Sequence, residues 1–156
     1  MTTEIPGIRL YFHCGWSIQV DTSFEHQMLY GGETLYIHDP GERREVYLSS
    51  MTFRRHDGEP FTASDVIDHY PPKEMSGLRF EHRSGDLAGA ALWMLGEDDE
   101  YPKPSWVLWA MTGSPSAGRI ARCTVVCDDE SDRDWALDVW RSIVRAEPPR
   151  EGALAP

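Results

Sequence analysis

Cations are scarce in this chain. Lysine and arginine number 15 against 26 aspartates and glutamates, so the 156 residues carry a formal net charge of -11. Nucleic acid and anionic membrane surfaces are held by clustered Lys and Arg, and this balance excludes both as expected ligands. A basic protein is what the charge would attract. Long apolar runs are also missing: the longest, LAGAALWML at 87–95, is about half of what a bilayer-spanning helix requires. The opening MTTEIPGIRLYF contains Glu4 and Pro6, with neither a cationic start nor an apolar stretch of signal-peptide length, which predicts a cytoplasmic protein. There is no GxGxxG and no GxxxxGK followed by Ser or Thr, so both common phosphate-cradling fingerprints are absent.

Cysteine is limited to Cys14, Cys123 and Cys127. An odd count fits a reducing compartment better than a secreted disulfide framework. In RCTVVC, at 122–127, the intervening Thr124, Val125 and Val126 are β-branched and predict a strand. Side chains four apart on a strand share a face, but their Cα atoms lie about 13 Å apart. A disulfide needs about 7 Å or less. Cys123 and Cys127 are therefore expected to be buried thiols packed as small hydrophobes on the face of Ala121 and Val125.

What is present is apolar enough to fold. Hydrophobic residues make up 40% of the chain and six tryptophans are among them, which predicts one globular domain over 1–146, followed by a flexible tail at 147–156 where EPP breaks the last helix. Alternating patterns predict strands at 8–13, 16–22, 34–38, 45–54, 78–83, 87–95, 105–112 and 119–127. Gly15 marks a turn or bulge between the first two. Asp39-Pro40-Gly41-Glu42 predicts a hairpin turn in which Gly41 takes positive φ. Thr62 with Asp65 forms a capping-box signature, with Phe61 and Val66 at the staple positions, so a short helix starts here and ends at Pro71-Pro72. Both faces of SWVLWAMT are apolar, which places that strand in mid-sheet with cover on each side. The small residues 88–91 would let a helix approach closely. From an N-cap at Ser131, Trp135, Val139 and Ile143 recur at four-residue spacing and predict a long C-terminal helix reaching Arg145. The fold class is α+β: about seven strands in a mostly antiparallel sheet, with a short mid-chain helix and a long C-terminal helix packed on it.

This order, with "GW" at Gly15-Trp16 opening the second strand, "FTASDVIDHY" as the mid-chain helix and "CDDESDRDWALDVWRSI" closing the chain, resembles the PsbP-like α/β/α sandwich proteins over roughly residues 8–145. The DcrB-like lipoproteins and the acidic secretion-adaptor chaperones are branches of that superfamily. The resemblance implies an α/β/α sandwich and a protein-binding rather than a catalytic role. It carries over no functional motif.

Chemistry-bearing patterns are few. An EF-hand reading of DDESDRD, counted from Asp128, puts Arg133 where glycine is required and Val139 where a bidentate glutamate belongs. Asp65 and His69 have the i, i+4 spacing of a chelating pair, but two ligands do not complete a site. GSPSAG at 113–118 lacks glycines two positions either side of a serine and reads as a turn. No catalytic residue, metal or cofactor is assigned. The expected function is a non-catalytic adaptor, chaperone or immunity-type protein. Its acidic loops, Glu97, Asp98, Asp99 and Glu100 in one and Asp128, Asp129 and Glu130 in the other, would steer a basic protein partner. The alternative is a small-ligand-binding protein or enzyme with a pocket between sheet and helix, lined by some of the tryptophans. An exposed edge strand would also let a second copy pair.

Overall fold

The computed structural model describes residues 7–53, 55–96 and 104–146. The chain runs through β1 (Ile8–Tyr11), β2 (Trp16–Val20), β3 (Glu25–Leu29), β4 (Thr34–His38), β5 (Arg44–Thr52), α1 (Ala63–His69), β6 (Leu78–Ser84), β7 (Leu87–Gly96), β8 (Ser105–Ser114), β9 (Arg119–Cys127), α2 (Arg133–Arg141) and β10 (Val144–Arg145). Seven strands form an antiparallel sheet in the order β3-β4-β5-β9-β8-β7-β6, while β1, β2 and β10 form a second, smaller sheet. The expectation of a single sheet is corrected at this point: β1 and β2 pair with each other and then with the chain's last strand. The expected tail, 147–156, lies outside the described residues.

Register puts Met28, Leu35, Leu48, Cys123, Ala110, Ala91 and Phe80 side by side across all seven strands. This face packs into the main core with Trp16 and Ile18 of β2 and Val139 and Trp140 of α2. Side chains alternate along a strand, so Met111 and Ile120 fall on the opposite face, where they pack with Phe61 and Val66 beside α1. The helices thus cover opposite faces of the sheet. Two glycines set how close they come. A Cβ on Gly89 would lie 3.0 Å from the Trp140 ring, and one on Gly113 would lie 2.8 Å from Val66. The small residues of β7 therefore do for α2 what their size suggested.

The capping box of α1 forms as expected: Thr62 accepts from the Asp65 backbone N–H, and the Asp65 carboxylate accepts from Thr62. The C-terminal helix is a correction. Asp129 accepts from the Ser131 N–H and opens a 3-10 turn over Glu130–Asp132, so α2 begins only at Arg133 and holds nine residues. It stops at Arg141 because Ser142 turns its hydroxyl onto the Val139 carbonyl at 2.6 Å and its own carbonyl accepts from Arg9. Val144 and Arg145 then pair with Ser17 and Trp16 of β2. A β-branched residue beside an open strand edge gains more from pairing than from one more helical turn. In the hairpin after β4 the left-handed residue is Glu42, at φ 53, instead of Gly41. Asp39 Oδ1 accepts from the N–H groups of both Arg43 and Arg44 and holds the chain in that shape.

Burial also sets a pH dependence. His82, on the α2 side of β6, meets the Trp140 ring edge-on at 5.9 Å. Burial, assisted by the nearby Arg141 charge, holds its imidazole below its ordinary pKa of 6.5. The unfolded chain then binds this proton more readily than the folded one, so the contribution is complete above about pH 6.5 and is lost as pH falls. The melting temperature should decline between pH 6.5 and 5, and His82→Gln should flatten that decline.

Candidate functional site

Strand register gathers the charged loops. His38 at the end of β4 is paired with Glu45 at the start of β5, Glu45 with Val126 near the end of β9, and Val126 with Val107 near the start of β8. The hairpin 39–43 and the run Asp128–Glu130 therefore leave the sheet at one end. Gly96 and Ser105, which bracket the run Glu97, Asp98, Asp99 and Glu100 in sequence, pair with each other at that same end. The run itself lies outside the described residues.

Most of the described acids at this end are occupied. Arg44 donates to Asp132 Oδ1 at 2.6 Å and lies 4.5 Å over the Trp135 ring. Trp135 in turn meets Phe24 at 5.7 Å. This explains why Asp132, at the cap position of α2, makes no side-chain capping bond. Asp129 serves the 3-10 turn, and the Ser131 N–H holds its carboxyl below the usual carboxylate range. Asp128 donates its backbone N–H to the Arg43 carbonyl and is half-buried. The Glu130 carbonyl accepts from the Arg133 N–H, but its carboxylate has no partner among the described residues, and Asp134 meets Arg133 at 3.7 Å with its side chain 87% exposed. Asp39, Arg43, Arg44, Asp128, Asp129 and Asp132, with Phe24 in the floor, line an open groove of about 630 Å³. Its chemistry is that of four aspartates and two arginines, Arg44 committed to Asp132 and Arg43 exposed.

The remaining candidates separate cleanly. Cys123 and Cys127 are fully buried and unpaired, and burial pushes both thiols up to about 12. A thiol in that range stays protonated and unreactive near neutrality. Cys14 is half-buried in a 3-10 turn, with Gly15 at φ 82 next to it. Ellman's reagent at pH 8 should therefore titrate Cys14 in the native protein and all three thiols after unfolding. The GSPSAG segment is a turn, as expected, and Ser114 and Ser116 both donate to the Asp86 carboxylate.

Asp65 and His69 border an apolar cleft instead of forming a chelate. Met51, Phe53, Val66, Tyr70, Met111 and Ile120 line it with them, enclosing about 200 Å³ between α1 and the outer face of the sheet. Asp65 is already met by the Thr62 N–H at 2.8 Å and by Arg55 at 3.9 Å. Among the described residues no group of three or more His, Cys, Asp or Glu side chains could hold a metal ion. The expected tryptophan lining is corrected, since this cleft contains none. Trp140, together with most of α2, belongs to the main core, and Trp135 packs against its edge. Sequence reading missed the cleft because β5, β8 and β9 contribute one residue each, Met51, Met111 and Ile120, to a wall completed by α1, and only the register brings them together.

The sequence matches no family model and no curated protein. Solved structures share its fold. A protein from Bacteroides thetaiotaomicron VPI-5482 superposes with a TM-score of 0.61 at 11% identity over 85% of this chain, which spans 46% of that longer one. The cyanobacterial PsbP (CyanoP) of Synechocystis sp. PCC 6803 superposes with a TM-score of 0.55 at 9% identity, covering 94% of this chain and 98% of that one. The chain has a PsbP-like fold. Among the described residues no helix is long and apolar enough to cross a membrane.

Proposed function

We propose that this protein is a cytoplasmic, non-catalytic binding module, an adaptor, chaperone or immunity-type protein, that takes a basic protein partner at the acidic end of its large sheet. The observation that carries this reading is the arrangement of charge around the groove. Asp39, Asp129 and Asp132 fix the loops, the Glu130 carboxylate has no partner among the described residues, and Asp134, paired with Arg133 at 3.7 Å, still projects with its side chain 87% exposed. Unspent rim charge acts mainly on encounter rate and on salt dependence. Affinity capture on the purified protein should therefore recover a near-stoichiometric basic protein at low salt that is released as salt rises. An empty bait, or a partner indifferent to salt, contradicts the proposal.

A second reading has one observation in its favour. The apolar cleft beneath α1 is a pocket between sheet and helix, the place where a small-ligand-binding protein of this architecture would hold its ligand.

A further inference from the structure

The cleft beneath α1 is far from the acidic end. Ile120 and Cys127 stand seven residues apart on β9, about 23 Å along the strand. Its interior is apolar, with the thioethers of Met51 and Met111 and the side chains of Val66 and Ile120 as walls. Phe53 stands at the opening, 42% exposed despite its size. An apolar void of about 150 Å³ is enough to hold one benzene ring, so about 200 Å³ has room for a ring and a short alkyl link.

The polar groups at the mouth decide what the rest of such a ligand must be. Asp65, the one anion in the lining, is spent on the Thr62 N–H and on Arg55. The His69 ring and the Tyr70 hydroxyl in the lining have no hydrogen bond among the described residues, and neither has the guanidinium of Arg122, which stands beside the cleft without lining it. Arg122 is exposed and pairs with Met111 across the β8–β9 ladder, two residues along β9 from Ile120 and on the same face. Its charge is felt at the Tyr70 phenol, whose pKa burial nonetheless raises. Tyr70 is held at the edge of the cleft because Pro71 ends α1 there. Donors therefore outnumber free acceptors at and beside the mouth, and the one cation among them, Arg122, stands next to the lining residues Met111 and Tyr70. An apolar body capped by a carboxylate matches both parts, since guanidinium meets carboxylate in charge-assisted hydrogen bonds.

We propose that the cleft between α1 and the outer face of β5, β9 and β8 binds a small monocarboxylic acid with a compact apolar body, of the arylalkanoate type, its carboxylate held by Arg122 with Tyr70 and His69. The proposal rests on reading the cleft as a ligand site. The two are separable by titrating the full chain with 3-phenylpropanoate and, in parallel, with the neutral 3-phenylpropan-1-ol, following the amide signals of Met111, Ile120 and Tyr70 by NMR. Saturable shifts at those three amides are expected for the acid, with affinity about tenfold lower for the alcohol and about tenfold lower for the acid with Arg122→Gln. That variant alters an exposed side chain, and its unchanged melting temperature would show that it folds. If acid and alcohol bind equally, the carboxylate assignment is overturned while the cleft stands as an apolar site. If neither shifts those amides, both readings fail. Binding of N-acetyl-phenylalanine in place of 3-phenylpropanoate would overturn the small-acid assignment in favour of a peptide end.

Discussion

Trp140→Ala is expected to lower the stability of the protein by about 3–5 kcal/mol, the range for removing a fully buried aromatic side chain. Trp140 has no solvent exposure and joins three elements. Its ring lies on Gly89 of β7, its Nε1–H donates to the Thr112 hydroxyl of β8 at 3.0 Å, and its edge meets His82 of β6. A finer comparison isolates the hydrogen bond. Trp140→Phe strands the buried Thr112 hydroxyl, which costs about 1–3 kcal/mol beyond the lost volume. Trp93 is also buried, stacks on Trp106 at 5.7 Å, and has an indole N–H without a partner among the described residues. Trp93→Phe leaves no orphaned acceptor behind. Urea unfolding should therefore show a lower midpoint for Trp140→Phe than for Trp93→Phe, with similar slopes.

Arg44→Met is the second large effect, about 2 kcal/mol. Fully buried ion pairs broken on one side cost about 3–5 kcal/mol, while exposed pairs contribute about 1 kcal/mol or less. The Arg44–Asp132 pair lies between these limits, with side chains 34% and 14% exposed. Removing the arginine leaves the less exposed carboxylate unpaired and also takes a cation from the Trp135 ring. Arg44→Met combined with Asp132→Asn should recover part of the loss, because the stranded charge is gone. A double-mutant cycle that showed simple additivity would mean that the pair contributes nothing by being a pair.

Wherever one signal dominated, the sequence was legible. β7, β8 and β9 follow from their β-branched and small residues, and α1 from its capping box and the two prolines that stop it. The burial of Cys123 and Cys127 followed from the strand face they share with Ala121 and Val125. β3 was missed because Glu25–Leu29 is an edge strand with its side chains largely in water, so it has no apolar alternation to read. The last turn of the expected helix was misread because Ile143 is buried either way. The four-residue spacing of Trp135, Val139 and Ile143 did not register that Val144 has a free strand edge of β2 beside it. Of the candidate acids, sequence could place Asp129 and Glu130 in a loop but could not tell that one is committed to a turn and the other is not. That distinction rests on the Asp129 to Ser131 bond. The cleft beneath α1 was illegible for a different reason, since its walls come from strands separated by as many as 69 positions, from Met51 to Ile120.

The most direct measurement compares two charge reversals that change net charge equally. Glu130→Lys with Asp134→Lys alters the acidic end, whereas Glu59→Lys with Asp68→Lys alters exposed acids on the loop before α1 and on α1 itself. Used as baits beside the native protein, the second variant should retain the basic partner and the first should lose it. Equal retention by both would show that the partner does not land on the acidic end, and equal loss would show that it responds only to total charge.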